Sequence, residues 1–330
     1  MKKAFLLTMT AGMAAALAAC GGEAEEEQGQ ESSEQESSEQ ESSGQAEGYP
    51  VTITDGMGEE ITIEEEPENI VSLLPSNTEI AFALGLGDQI VGVTDFDTYP
   101  EEAQEKQSVG GLDFDVETVL SLEPDLILTD SSAVQNSEEG LNQLEDAGAE
   151  ILVVNDATSF EETYNTINMI GQATGTEEEA SSIVETMEED VASIEETASA
   201  ISEEDRKTVW VEVDAPPNIF TTGQNTFMDE MLDIIQADNA AAEEEGWVPY
   251  TEEDVVALNP DVIVTTYGFR VENSTENILN RDGWSDVPAV ENEEVHDLDS
   301  DLVSRPGPRL TDGLQQMAEV VYPDVFTEEQ

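Results

Sequence analysis

The side chains that could carry chemistry in this chain are few, apart from carboxylates. Across 330 residues there are 78 Asp and Glu, nine Lys and Arg, one cysteine and one histidine. The lone Cys20 has no partner for a disulfide within the chain, and it leaves no second thiol for catalysis or metal binding. The lone His296 cannot form the histidine cluster that zinc or manganese would need, nor a Ser-His-Asp triad, since no activated-serine signature accompanies it. It sits in the strand-like run Glu294–Leu298 and is expected to be structural or solvated. No Gly-x-x-x-x-Gly-Lys phosphate loop occurs, and Gly85-Leu86-Gly87 continues to Ile90 rather than to glycine, so the dinucleotide fingerprint fails. A carboxylate pair could serve a secreted hydrolase, but nothing in the spacing singles one out. What remains is binding.

Scarce residue types then carry the information. In open α/β sheets, ligands sit at the carboxyl ends of the strands. Short apolar runs without alternation, expected to be strands buried on both faces, occur at Ile70–Leu74, Ile90–Val93, Leu126–Leu128 and Ile151–Val154, and again at Val209–Val213, Val262–Val264 and Val295–Leu298. Past their ends stand Pro75-Ser76-Asn77, the segment Asp95–Pro100 with Phe96 and Tyr99, Tyr267-Gly268-Phe269-Arg270, and Arg305 and Arg309 around Pro306-Gly307-Pro308. Aromatics are only 5% of the chain, so their gathering at these ends suits a cleft with aromatic walls and a bulky planar ligand. Arg305 is the expected anchor. Pro308 is expected to open the terminal helix, with Leu310, Leu314, Met317 and Val321 on its inner face. That puts Arg309 in the first turn, where a cation opposes the helix dipole, so a carboxylate is expected to compensate it.

The elements that position these residues follow an α/β grammar used twice. Val51 to Ile63 alternates around Asp55-Gly56 as a hairpin. The run Glu117–Thr129 aligns without gaps on Glu253–Thr265, each a helix, a Pro-Asp turn and a buried strand, which points to two related lobes. Between them, about 160–202 is helical with a break near Gly171–Gly175. Ile183, Met187, Val191, Ile194, Ala198 and Ile201 form one apolar stripe there, suiting a strut across both lobes.

Residues 1–19 read as a signal segment, with Lys2 and Lys3 before an apolar run too short to span a membrane. It ends in Leu17-Ala18-Ala19-Cys20, which resembles a bacterial lipobox and implies lipid on Cys20. Residues 20–48 follow as an acidic Ser/Gln/Glu tether with a five-residue repeat, able to span roughly 30 Å. The expected parts beyond it are an N-terminal lobe at 49–158, an inter-lobe helical segment at 159–205 and a C-terminal lobe at 206–330. The net charge of −69 argues against nucleic acid as a partner and against attraction to anionic lipid, leaving the lipid anchor as the only membrane contact. Ten of the acids lie in the tether and the rest are spread along the chain, a distribution read as adaptation to a salty exterior.

Four segments together, Ile70–Ile80, Gly92–Pro100, Val109–Glu117 and Ser304–Arg309, resemble the substrate-binding proteins of ABC importers for cobalamin, siderophores and haem, nearest the cobalamin-binding branch. The resemblance spans roughly residues 50–325. It implies two Rossmann-like lobes with central parallel sheets joined by a rigid helix, a ligand between the lobes, no catalysis and no cofactor. The receptor would be monomeric and would deliver a corrinoid to a dimeric permease with its ATPase. A ferric siderophore or haem is the second choice of ligand. By position, Phe96 matches a family tyrosine, Trp247 a tryptophan and Arg305 an arginine, while Leu112 falls where cobalamin binders carry a second tryptophan. Glu117 and Glu253 match the two glutamates that pair with permease arginines. They are also equivalent positions of the internal repeat.

Overall fold

The computed structural model describes residues 48–327. The expected signal segment, Cys20 and nearly all of the expected tether lie outside the described residues.

The described residues open with strands β1 (Val51–Thr54) and β2 (Glu60–Ile63), an antiparallel hairpin. Asp55 Oδ1 accepts from the amides of Met57 and Glu59, both at 2.9 Å, and so shapes the turn. Gly56 is required there, because a Cβ would stand 2.6 Å from the carbonyl oxygen of Val154.

A five-stranded parallel sheet follows, built from β3 (Ile70–Ser72), helix α1 (Pro75–Ala83), β4 (Ile90–Val93), β5 (Gln107–Ser108), α2 (Val116–Ser121), β6 (Leu126–Thr129), α3 (Ser131–Asp146) and β7 (Glu150–Val153). The strand order is β5-β4-β3-β6-β7. Every residue of β3 and β6 is buried, including the terminal Ser72 and Thr129, as expected of mainly apolar strands covered on both faces. The order reverses between β3 and β6, which leaves a crevice at the carboxyl ends there.

The connection is a helix pair, α4 (Phe160–Thr174) and α5 (Glu177–Ala198). Gly175 caps α4 in the left-handed conformation, φ 69°, and Gly171 lets α5 fold back closely, since a Cβ there would be 2.6 Å from that of Ala180. The stripe faces inward as expected, with Met187, Ile194 and Ala198 buried and Ile183, Val191 and Ile201 half-buried against the core. The strut is divided between its partners. α4 rests on α1 and β1, whereas α5 packs on helices of the second half.

That half holds β8 (Thr208–Glu212), β9 (Ile219–Thr222), α6 (Phe227–Ile234), β10 (Asp238–Asn239), β11 (Trp247–Tyr250), α7 (Glu252–Leu258), β12 (Val262–Thr265), α8 (Ser274–Leu279), α9 (Pro288–Glu291), β13 (Val295–Asp297), α10 (Ser300–Ser304), α11 (Leu310–Val321) and α12 (Pro323–Phe326). Its main sheet is parallel, in the order β10-β8-β12-β13. A separate antiparallel ribbon, β9–β11, was not expected. Its strands are short, Pro249 interrupts one of them, and α6 stands between them in sequence. The terminal helix starts two residues later than expected, with Arg309 as its N-cap, and Leu310, Leu314, Met317 and Val321 are buried as expected.

One apolar cluster runs from Ile70 and Leu126 of the first sheet through Ile167 and Met187 of the helix pair to Val209 and Val262 of the second. Shearing one lobe against the other would expose that surface at about 25 cal/mol per Å2, so the two lobes are held as one body.

Candidate functional site

The lobes meet where the residues after β3 and β4 touch those after β13. Glu79, on α1, is buried among positive groups of the other lobe. Arg309 Nη2 donates to its Oε2 at 2.6 Å, and Arg305 Nη1 lies 3.8 Å from the same oxygen. Arg305 Nη2 also pairs with Asp301 at 2.7 Å. The Arg309 guanidinium stacks 3.6 Å from the Tyr99 ring centroid, so it is compensated by a carboxylate and an aromatic face together. Gly307 is small by necessity, since a Cβ would lie 2.9 Å from Glu79 Oε1. The Pro306-Gly307-Pro308 turn thus seats both arginines on one buried acid.

A cavity of about 330 Å3 beside this cluster brings Pro75 and Ser76 together with Arg305, Ser304 and Asp301. Arg305 is therefore not a free loop tip. It caps the end of α10 with its side chain largely buried and ion-paired. A larger hollow of about 770 Å3 touches Tyr99 and Arg309 but runs to Gly85–Asp88, at the amino end of β4, so only its rim reaches the strand carboxyl ends.

Above the cluster, the loop after β4 is folded on itself by Asp97, whose Oδ2 accepts from the amide of Thr94 at 2.8 Å and from its hydroxyl. Burial pushes the Asp97 carboxyl up from its ordinary value, against the pull of its hydrogen bonds from Thr78 and Thr94. This folding leaves Phe96 51% exposed, its ring lying over Gly111, and Leu112 beside it 87% exposed. Thr98, two residues on, approaches Asp301 of the other lobe at 3.4 Å. Phe96 and Leu112 are therefore apolar side chains left outward on the first lobe.

On the second lobe, Trp247 begins β11 and is 55% exposed. Its register places it opposite Thr222, on the same ribbon face as Pro249 and Phe220. Tyr267 requires a correction. It was expected at the ligand wall, but it is 1% exposed and its hydroxyl donates to Glu212 Oε1 at 2.6 Å. Glu212 is itself gripped by Arg281 through two bonds of 2.8 and 2.9 Å. Tyr267 belongs to that buried network and has no surface to offer a ligand. The exposed aromatic of its segment is Phe269, two residues on.

Glu117 and Glu253 occupy the same place in their helices, the second residue of α2 and of α7, and both are exposed. Their helices are capped alike, by Asp115 and by Thr251. His296 faces Glu294 at 3.2 Å on a half-exposed edge, and no cluster of three metal-binding side chains occurs among the described residues.

The charge inventory bears on what the cleft can hold. Seven basic residues lie among the described residues. Each has a partner within the protein: Lys106 the carbonyl of Gly87, Arg206 Asp238, Lys207 the Tyr322 ring, Arg270 Asp214, Arg281 Glu212, Arg305 Asp301, and Arg309 Glu79.

Comparison with known proteins agrees with this architecture. The family model described as periplasmic binding protein matches residues 70–302. An uncharacterized ABC transporter substrate-binding lipoprotein of Bacillus subtilis, YvrC, is 46% identical over 94% of this chain and 95% of its own length. A cobalamin-binding protein of Halobacterium salinarum is 29% identical over 82% of this chain and 73% of its own. Among solved structures, a possible iron-binding (periplasmic solute-binding) protein of Staphylococcus epidermidis is 34% identical, with a TM-score of 0.70 over 78% of this chain and all of that one. Two parallel-sheet lobes, a helix-pair link, a cleft at the strand ends and these matches make the chain a member of the periplasmic binding protein family, the substrate-binding proteins of ABC transporters.

Proposed function

We propose that this protein is an extracytoplasmic receptor, anchored by lipid at Cys20, that binds cobalamin or a related corrinoid between its lobes and hands it to a dimeric permease with its ATPase. The observation that carries the choice of ligand is that both arginines at the meeting of the lobes, Arg305 and Arg309, are ion-paired with carboxylates of the protein. A ligand with anionic groups, such as haem or a ferric catecholate, needs positive partners. Here the charge of both arginines is already offset by Asp301 and Glu79, and the surrounding net charge is strongly negative. A neutral or cationic corrinoid meets no such penalty, and Phe96, Leu112 and Trp247 offer apolar surface for its ring and edge. The cobalamin-binding relative from H. salinarum supports the same reading. A neutral ferric hydroxamate is the second ligand that this charge argument allows. Glu117 and Glu253, matched on two lobes, suit a two-fold permease surface. The family is one of binding proteins, so the hydrolase alternative is not carried forward.

The test is calorimetric titration of the lipid-free mature chain with cyanocobalamin, cobinamide, a ferric hydroxamate, a ferric catecholate and haemin. One-to-one binding of a corrinoid is expected. Heat with haemin or a ferric siderophore, and none with either corrinoid, overturns the choice of ligand.

A further inference from the structure

In the second sheet the chain turns outward to β10 on one side of β8 and to β13 on the other side of β12, so the order reverses between β8 and β12. Ligands of open α/β sheets lie outside the carboxyl ends at such a point. The segment that occupies it is Thr266–Arg270, and its most exposed member is Phe269, at 77% the most exposed aromatic among the described residues. A ring left in water on a loose loop would mean little. The backbone that carries this ring is held from both sides.

Before it, Tyr267 is locked by its 2.6 Å bond to Glu212 at the end of β8. The Gly268 amide donates to Asp297 Oδ1 of β13 at 3.0 Å, and a Cβ at position 268 would collide with that carboxylate. After it, Arg270 Nη2 donates to the Val213 carbonyl and pairs with Asp214, both at 3.1 Å. These anchors all sit at strand carboxyl ends, and the Phe269 ring, with the Arg270 guanidinium 5.7 Å from its centroid, is the aromatic surface the segment presents outward. The segment leans on Asp297, and the residues just past it reach the Phe96 loop through Asp301 and Thr98.

We propose that Phe269 is a ligand-contacting residue, an apolar platform on braced backbone on the second lobe's side of the cleft, with Phe96 supplying the first lobe's side. The proposal rests on the solute-receptor reading but not on the solute being a corrinoid. Fixing the backbone under an exposed aromatic lowers the ordering cost of binding, which is the physical reason to brace this segment.

The experiment titrates wild type, F269A, F269W and G268A with the same solute panel and follows their thermal unfolding. With the solute that wild type binds, F269A is expected to weaken affinity at least tenfold with no change in Tm, and F269W to stay within threefold of wild type. G268A, which keeps the ring but displaces its support, is expected to weaken affinity by an intermediate factor. Equal affinity of wild type and F269A overturns the inference alone. So does a loss of transport with affinity intact, which would assign the ring to the permease. A wild type that binds no member of the panel overturns the receptor reading and this inference with it.

Discussion

Arg281→Met offers the sharpest test of the second lobe's internal design. Glu212 has a fully buried side chain, and Arg281, 8% exposed, gives it two hydrogen bonds and stacks 4.3 Å from the Trp284 ring centroid. Methionine would keep the packing on Trp284 and remove both bonds. Glu212 would then hold only the Tyr267 hydroxyl and a long 3.4 Å contact from Trp210 Nε1. The hydroxyl cannot share the charge as an acid, because burial and the neighbouring Glu212 push its pKa far up. Stranding a buried carboxylate in this way costs about 3–5 kcal/mol. At roughly 2–4 °C per kcal/mol for a chain of this size, Tm should fall by roughly 6–20 °C. The assay is thermal unfolding in about 1 M NaCl, where surface pairs are screened to about 3 Å but buried ones are not. Adding Glu212→Gln removes the charge while keeping an acceptor for Tyr267, and should recover at least half of the loss. A fall of less than about 2 °C, or a double variant whose loss equals the sum of the two single losses, would refute the reasoning, since coupled neighbours are non-additive.

Three further outcomes follow from the charge and the repeat. Tm should rise with NaCl between about 0.1 and 2 M, because self-repulsion among 78 acids is screened; a flat profile is incompatible with adaptation to salt. Burial raises the carboxyl pKa values of Glu230 and Asp97 above those of the unfolded chain, so the stability tied to their protonation is complete below the ordinary carboxylate range and is lost as pH rises through the raised values. In low salt, Tm should therefore climb as pH falls from neutral through those raised values, and Glu230→Gln, which still accepts from the Phe160 amide, should flatten that slope. A Tm falling throughout that interval would reverse the sign. Finally, Glu117→Lys with Glu253→Lys should abolish transport in cells and leave solute affinity unchanged, and a change in affinity would remove the two residues from the docking role.

Much of the architecture was legible because its cause is local. Strands covered on both faces must be largely apolar, and the runs at Ile70, Leu126 and Val262 are, apart from the buried hydroxyl residues Ser72, Thr129 and Thr265 at their carboxyl ends. The helix break needed a left-handed residue, and Gly175 supplied it. The equivalence of Glu117 and Glu253 came from a gapless repeat that the capped helices reproduce. The β9–β11 ribbon stayed hidden because its pairing joins residues far apart with a helix between, and its Trp-Val-Pro-Tyr strand carries no distinctive pattern.

The sequence by itself determined the class of molecule: an acidic two-lobed α/β protein, poor in catalytic side chains, with its rare aromatics and arginines at strand ends. Tertiary structure decided which of those residues remain available. Arg305 and Arg309 are drawn onto Glu79, more than 200 residues away in the chain. Tyr267 turns inward because Glu212 waits on the adjacent strand, and Phe269 is thereby left outward. A loop has no periodicity from which to read its faces. Only the partner across the sheet settles whether a side chain serves the fold or meets the ligand.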